Sequence, residues 1–279
     1  QKIIPLIPEH ALYCEPFIGG AAVFFAKQKS KVEVINDING EIVNFYQVLQ
    51  NDFPALQKEI QAALPGENSI STRRLFIKIL FDRIKRAWAV WALANMSFNN
   101  ALNNGFSRST DGKSSRKIAV NRTQFTDELK QRMSGVQIEC RDAIKVIAAN
   151  NIPDSFFYVD PPYVGIHKYN NEFGSTELGR TANAEKLEDK FGSPHGHYDG
   201  YSQEYFNALI EALGTVTGKF LLSSYRNEVL TQAVKLHGWY QIEMKINTNP
   251  TASNKSRTKI EVLTANYSIG VVDGKVKRL

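Results

Sequence analysis

Residues 155–163 read Ser-Phe-Phe-Tyr-Val-Asp-Pro-Pro-Tyr. Phe156 to Val159 is an unbroken apolar run, the pattern of a strand buried on both faces of a parallel sheet. Asp160-Pro161-Pro162-Tyr163 ends it. Consecutive prolines offer no N–H to a ladder and hold φ near about −65°, so the strand must stop there. The chain is left rigid just past the carboxyl end of a strand, which is where open α/β sheets place their ligands.

The flanking sequence has the same strand–helix rhythm. Upstream, Ala11 to Cys14 reads as a short strand. Glu15-Pro16-Phe17-Ile18-Gly19-Gly20 follows as a turn, and Ala21 to Lys27 as a helix. Glycines let a backbone approach a ligand closely. The turn lacks Gly-x-Gly-x-x-Gly, so the dinucleotide fingerprint is absent. Val32 to Ile35 is the next strand, ending at Asn36-Asp37, with a helix from Gly40 to Leu49. Asp37 sits where a carboxylate can accept from ribose hydroxyls. Its alternative is helix capping, a task Asn39 could perform instead. Val136 to Cys140 is a further strand, followed by Asp142 and a helix from Ala143 to Ala149. Asp142 suits an adenine amino group or, equally, a helix cap.

Beyond the prolines, Tyr201 to Leu213 reads as an amphipathic helix and Lys219 to Ser224 as a buried strand. Arg226 to His237 reads as a helix stopped by Gly238. Trp239 to Ile246 and Lys259 to Thr264 then form an expected hairpin, making one edge of the sheet antiparallel. The tail, Lys275 to Leu279, is basic and expected to fray. The architecture predicted is α/β, with a mostly parallel sheet.

Two stretches break the rhythm. Phe53 to Leu64 looks helical, and Ser69 to Asn95 looks like a long helix or helix pair whose stripe includes Leu80, Ile84, Ala87, Trp88 and Trp91. From Met96 to Asn121 the composition is that of a polar, basic loop or hairpin with two aromatics, Phe98 and Phe106. Residues 52–132 are therefore expected to form an inserted, mainly helical domain. Residues 1–51 and 133–279 would form the main domain. Residues 164–200 have weak periodicity and leave directly from the proline turn; they are expected to be a flap that orders on substrate binding.

Charge is unevenly spread. The 279-residue chain carries a net charge of +6, yet residues 70–132 hold thirteen Lys/Arg against four Asp/Glu. A segment more basic than the whole suggests a polyanionic partner contacted there, against the plainer reading of a solvated basic face. No apolar run approaches the roughly 18 residues of a membrane span. Cys14 and Cys140, the two cysteines, are both expected in buried strands of a protein in a reducing cytoplasm. Cysteine and histidine cluster too little for a zinc site, and no metal is expected.

Asp160, the Pro161 carbonyl and Tyr163 together suit one kind of chemistry. An exocyclic amine such as N6 of adenine is a poor nucleophile because its lone pair is delocalised into the ring. Two acceptors, the Asp160 carboxylate and the Pro161 carbonyl, could take its hydrogens and localise that pair, while Tyr163 stacks on the ring. Alternatively, Asp-Pro-Pro-Tyr is a strand-terminating turn and no more.

Three stretches in order carry a resemblance: Cys14 to Phe25 (CEPFIGGAAVFF), Ile35 to Asn39 (INDIN) and Asp160 to Tyr163 (DPPY). Together with Lys219–Tyr225, Arg257–Glu261 and Asn266, they resemble the Dam-type, alpha-class DNA adenine-N6 methyltransferases. The resemblance implies a Rossmann-like class I methyltransferase sheet with an inserted target-recognition domain. S-adenosylmethionine would be the cofactor, and a flipped adenine in double-stranded DNA the substrate. Glu15, Pro16, Phe17, Gly19 and Gly20 would form the cofactor loop. Asp37 would hold the ribose, with Ile38 beside it, and Asp142 with Ala143 would lie at the cofactor's adenine. Asp160, Pro161, Pro162 and Tyr163 would form the catalytic turn. Asn99, Asn100, Arg108, Lys113, Arg116 and Lys117 of the basic insert are the DNA-contact candidates.

Members of the family usually carry a Gly-Gly-Lys stretch near their start, expected to precede Gln1. The hairpin signature for GATC is not found in residues 96–121. A cognate restriction endonuclease is a candidate partner, and a bacterial or phage-infected cytoplasm the expected location. The competing readings are an RNA adenine-N6 or DNA cytosine-N4 methyltransferase, and a non-catalytic nucleic-acid-binding module.

Overall fold

The computed structural model describes residues 2–62, 81–96, 113–162, 201–247, 258–272 and 275–278. It is a mixed α/β fold with a seven-stranded, mostly parallel sheet. Two compact units divide the chain, residues 1–31 with 143–279, and residues 32–142.

The larger unit is built on five strands of that sheet. β1 (Leu12–Glu15) lies parallel to β4 (Ser155–Val159), and β4 parallel to β5 (Lys219–Tyr225). The five residues of β4 are all buried, as an apolar run between two neighbours requires. β6 (Tyr240–Asn247) and β7 (Thr258–Ala265) pair antiparallel, as expected of the hairpin. The order is not sequential: β7 pairs with β5, leaving β6 outermost.

Helices of this unit are α1 (Ala22–Ala26), α7 (Ala143–Ala149), α8 (Gln203–Gly214) and α9 (Glu228–His237). Ser202 caps α8 by accepting from the Tyr205 amide at 3.2 Å, and Asn227 caps α9 by accepting from Leu230 at 3.1 Å. Gly238, at φ 65°, ends α9 in the left-handed conformation that a side chain would strain. β8 (Ile269–Val272) and β9 (Lys275–Arg278) form a separate antiparallel pair. The tail therefore is not frayed over 275–278. Val276 pairs with Val271, and the β-branched alternation of Lys-Val-Lys-Arg suits a strand.

The smaller unit contains β2 (Val32–Asn36) parallel to β3 (Gln137–Glu139). Its helices are α2 (Gly40–Asn51), α3 (Phe53–Ala62), α4 (Arg83–Met96), α5 (Lys113–Thr123) and α6 (Asp127–Met133). Phe53 stacks on Phe125 with centroids 5.3 Å apart, and Trp91 meets the other side of the cluster edge-on. Of the expected apolar stripe, Ala87 and Trp91 are buried, Ile84 and Trp88 half-buried; Leu80 lies outside the described residues. Arg132 on α6 grips Glu33 on β2 with both terminal nitrogens.

Two expectations fail here. Residues 113–121 are helix rather than loop or hairpin: Lys and Arg favour helix, and Ile118 is buried at 2% exposure, giving the segment an anchor. Cys140 is exposed, because β3 ends at Glu139 and the cysteine falls in the loop beyond; Cys14 is buried.

Candidate active site

β1 and β4 run side by side, so their carboxyl ends deliver two loops to one place. Leu12, Tyr13 and Cys14 pair with Ser155, Phe156 and Phe157. The Tyr13 and Phe156 rings meet at 6.0 Å, which fixes the face they share. Alternation then puts Glu15, Tyr158 and Asp160 toward that same face. Asp160 is exposed, just past the last buried residue of β4, and the Tyr158 hydroxyl lies 3.5 Å from its carboxylate. Pro161 is buried and Pro162 half-buried. Tyr163 and residues 164–200 lie outside the described residues.

Glu15 occupies the opposite environment. It is 2% exposed, and the Tyr13 hydroxyl donates to its carboxylate at 2.7 Å. Burial pushes the carboxyl up to about 8; the Tyr13 hydrogen bond opposes this, and the charge of Asp160 adds to it. The Lys27 ammonium and a hydrogen bond from the Phe24 amide pull the other way, more weakly. Lys27 Nζ stands 4.1 Å from the Tyr13 ring centroid and donates to Ser30 Oγ at 2.8 Å. Burial likewise holds the Tyr13 phenol well above its ordinary value.

The loop between β1 and α1 turns through two left-handed residues, Gly19 at φ 43° and Ala21 at φ 55°. Gly19 and Gly20 are exposed, with nothing within 4 Å of where a Cβ would stand. The backbone there faces open space, the cradle that a close-lying cofactor needs. Phe17 is half-buried and meets Tyr201 edge-on, with centroids 6.1 Å apart. Beside the proline turn, Pro161, Pro162, Gln203, Phe206 and residues 224–227 line a small cavity of about 110 Å³. The Ser224 hydroxyl there is buried with no hydrogen-bond partner among the described residues.

The smaller unit brings its own acidic candidates together. Asn36, at the end of β2, donates to the Arg141 carbonyl at 3.0 Å and accepts from the Arg141 amide at 2.9 Å. This two-bond clamp fixes the end of β2 to the loop after β3, and hence the neighbours Asp37 and Asp142. Asn39 caps α2 by accepting from Glu41. Asp37 instead accepts from the Asn39 amide at 2.9 Å. Ile38 is 66% exposed, an apolar side chain left to water next to the carboxylate. Ala143 is buried at the start of α7.

Among the DNA-contact candidates, Lys113, Arg116 and Lys117 lie on α5. Asn99, Asn100 and Arg108 fall outside the described residues. Sequence reasoning missed Tyr13, Asn36, Tyr158, Tyr201 and Ser224. The Tyr-x-Glu and Tyr-x-Asp spacings were a usable signal, since residues two apart on a strand share a face. Asn36 gave none, because its partner is 105 positions away.

Comparison with known proteins adds the chemistry. Residues 1–212 match the family described as D12 class N6 adenine-specific DNA methyltransferases. A DNA N-6-adenine-methyltransferase of Escherichia phage P1 is 28% identical over 168 residues, 58% of this chain. The chain covers 22% of that phage protein's length. The type II methyltransferase M.MjaIII of Methanocaldococcus jannaschii is 25% identical over 224 residues, 71% of this chain and 77% of that protein.

Proposed function

The chain belongs to the D12 class of N6 adenine-specific DNA methyltransferases, and on that premise we propose that it methylates N6 of a flipped adenine in double-stranded DNA, with S-adenosylmethionine as methyl donor. One observation carries the reading. Adjacent parallel strands β1 and β4 bring the open glycine loop and the exposed Asp160 turn to the same sheet end.

Glu15, Pro16, Phe17, Gly19 and Gly20 are proposed as the donor loop in the larger unit. Asp37, Ile38, Asp142 and Ala143 are proposed as its ribose and adenine contacts. Bound there, the sulfonium would supply an electrophilic methyl group: N6 would take the methyl as the S–CH₃ bond breaks to leave a neutral thioether, and the surplus N6 proton would pass to water. Asp160 and the Pro161 carbonyl accept from the amine, and Tyr163 stacks on the base. Extrusion of that base costs a few kcal/mol. Stacking and phosphate contacts offset it, and residues 52–132 are proposed as the recognition domain supplying the latter through Asn99, Asn100, Arg108, Lys113, Arg116 and Lys117. Residues 164–200 are proposed as a flap over the turn, a restriction endonuclease sharing the target site as the partner, and the cytoplasm of a bacterial or phage-infected cell as the setting. Among the described residues, no helix is long and apolar enough to cross a membrane.

The test is transfer of labelled methyl from S-adenosylmethionine to unmethylated bacterial DNA, with single-molecule sequencing of the product. One modified-adenine motif is expected. Asp160→Ala should abolish turnover while leaving donor binding intact. Wild-type turnover in that variant refutes the mechanism, and transfer to RNA or to cytosine alone refutes the substrate.

A further inference from the structure

We propose that Glu15 is a positioning residue for the catalytic turn: it stands as the neutral acid behind Asp160 and so leaves the negative charge of this face on Asp160, where the adenine amine needs an acceptor. The inference deepens the reading above and rests on it for the reaction, though not for the charge state.

Three observations support it. The first is placement. Cys14 pairs with Phe157, so the next rung sets Glu15 opposite Tyr158, and Asp160 follows two residues on toward the same face. Two carboxyl groups facing the same end of adjacent strands resist holding two charges, and the charge of Asp160 acts to raise the Glu15 carboxyl. The second is burial. Glu15 is 2% exposed, whereas Asp160 is exposed to solvent. Water stabilises a carboxylate far better than a protein interior does, so of the two groups Glu15 is the one held neutral. The third is the surrounding inventory. The groups acting on Glu15 are the Tyr13 hydroxyl, the Phe24 amide, the Asp160 carboxylate and the Lys27 ammonium. Lys27 also stands over the Tyr13 ring and donates to Ser30 Oγ. His10 stands behind, against the Tyr13 and Phe156 rings at 5.9 and 5.4 Å. Burial opposes the carboxylate more strongly than this set supports it, which agrees with the elevated titration of the group.

The consequence for catalysis is an electrostatic division of labour. A carboxylate at position 15 would place a second negative charge beside Asp160 and raise its proton affinity. A protonated Asp160 offers one hydrogen-bond donor where the amine needs an acceptor. A neutral Glu15 avoids this and still accepts from Tyr13, holding the end of β1 in place.

The experiment uses the full chain and two readouts. The first is infrared titration of the protein alone, comparing wild type with Glu15→Gln. A protonated-carboxyl band is expected at neutral pH in wild type, lost near pH 8, and absent from the variant. The second is kcat and KM for wild type, Glu15→Gln and Glu15→Leu between about pH 6 and about pH 10, which spans that titration. Glu15→Leu, lacking both hydrogen-bonding atoms, should lose about tenfold or more in kcat with little change in KM for the methyl donor. Glu15→Gln should recover several-fold of that loss and lack the wild-type inflection near pH 8. Circular dichroism verifies folding of each variant. Absence of the band at neutral pH overturns the proposal, as does a glutamine variant no better than the leucine one. A wild type that methylates no nucleic acid refutes the catalytic part together with the functional reading, and the infrared titration then still decides the charge state.

Discussion

Replacing Arg132 by Met should be among the costliest single changes in the smaller unit. Arg132 and Glu33 form a two-pronged ion pair, with side-chain exposures of 15% and 1%. Methionine roughly keeps the hydrophobic stem of arginine and removes the guanidinium. The Glu33 carboxylate then stays buried without its counter-charge, a loss of about 3–5 kcal/mol. The contrast lies in the same protein: Arg226 and Glu243 pair at 63% and 45% exposure, so Arg226→Met should cost no more than about 1 kcal/mol. Urea unfolding followed by the fluorescence of Trp88 and Trp91, in a Trp239→Phe background, reports on the smaller unit. With a slope of about 3 kcal/mol per molar, the Arg132→Met midpoint should fall by about 1–1.7 M. The double variant Glu33→Gln/Arg132→Met should regain most of that loss, with a coupling of at least about 2 kcal/mol. An Arg132→Met midpoint within error of Arg226→Met would refute the reasoning, since the guanidinium would then contribute no more at a buried carboxylate than at an exposed one.

Other outcomes follow from the same geometry. Glu15 titrates near 8 in the folded chain against 4.5 for the free group. Folding therefore takes up a proton between those values, and the Glu15 contribution to stability falls as pH rises, by about 1.4 kcal/mol per unit. The wild-type minus Glu15→Gln difference in unfolding free energy should change by roughly 3–5 kcal/mol between about pH 4.5 and about pH 8; a flat difference would count against the buried carboxyl. Asn36→Leu should leave the Arg141 amide and carbonyl without the side-chain clamp, costing about 1–3 kcal/mol in stability. Its larger effect should be a raised KM for the methyl donor with kcat less affected, and an unchanged KM would separate the clamp from donor binding.

Much of the larger unit could be read directly. The Pro161-Pro162 stop and the Gly238 stop are local backbone chemistry, and the structure ends β4 and α9 at those points. Ala143 to Ala149 was likewise read to the residue. What escaped depends on contacts distant in sequence. The α5 helix looked like loop because its Ser, Asn and Lys content carries a weak apolar pattern, and only the burial of Ile118 reveals its anchor. Cys140 looked buried because the strand was extended one residue too far. At the site, the Gly19-Gly20 turn and Asp160 announced themselves by type and spacing. The division between a buried Glu15 and an exposed Asp160 did not, because it comes from pairing β1 with β4.

The interposed position of β7 also sets an order of assembly. When β5 leaves the ribosome, its outer edge has no partner, and β6 follows within a few residues of α9. Yet β6 cannot dock on β5, because that place belongs to β7, and Ala265 must reach Leu221 before the register closes. β6 and β7 have eight paired positions of their own, from Tyr240–Ala265 to Asn247–Thr258. The economical route is for the two to zip first and dock as a ribbon, since local pairings close more readily than distant ones. Until that ribbon arrives, an apolar edge carrying Phe220, Leu221 and Leu222 stays open to other chains. A nascent chain stalled short of residue 258 is thus the form of this protein most exposed to aggregation.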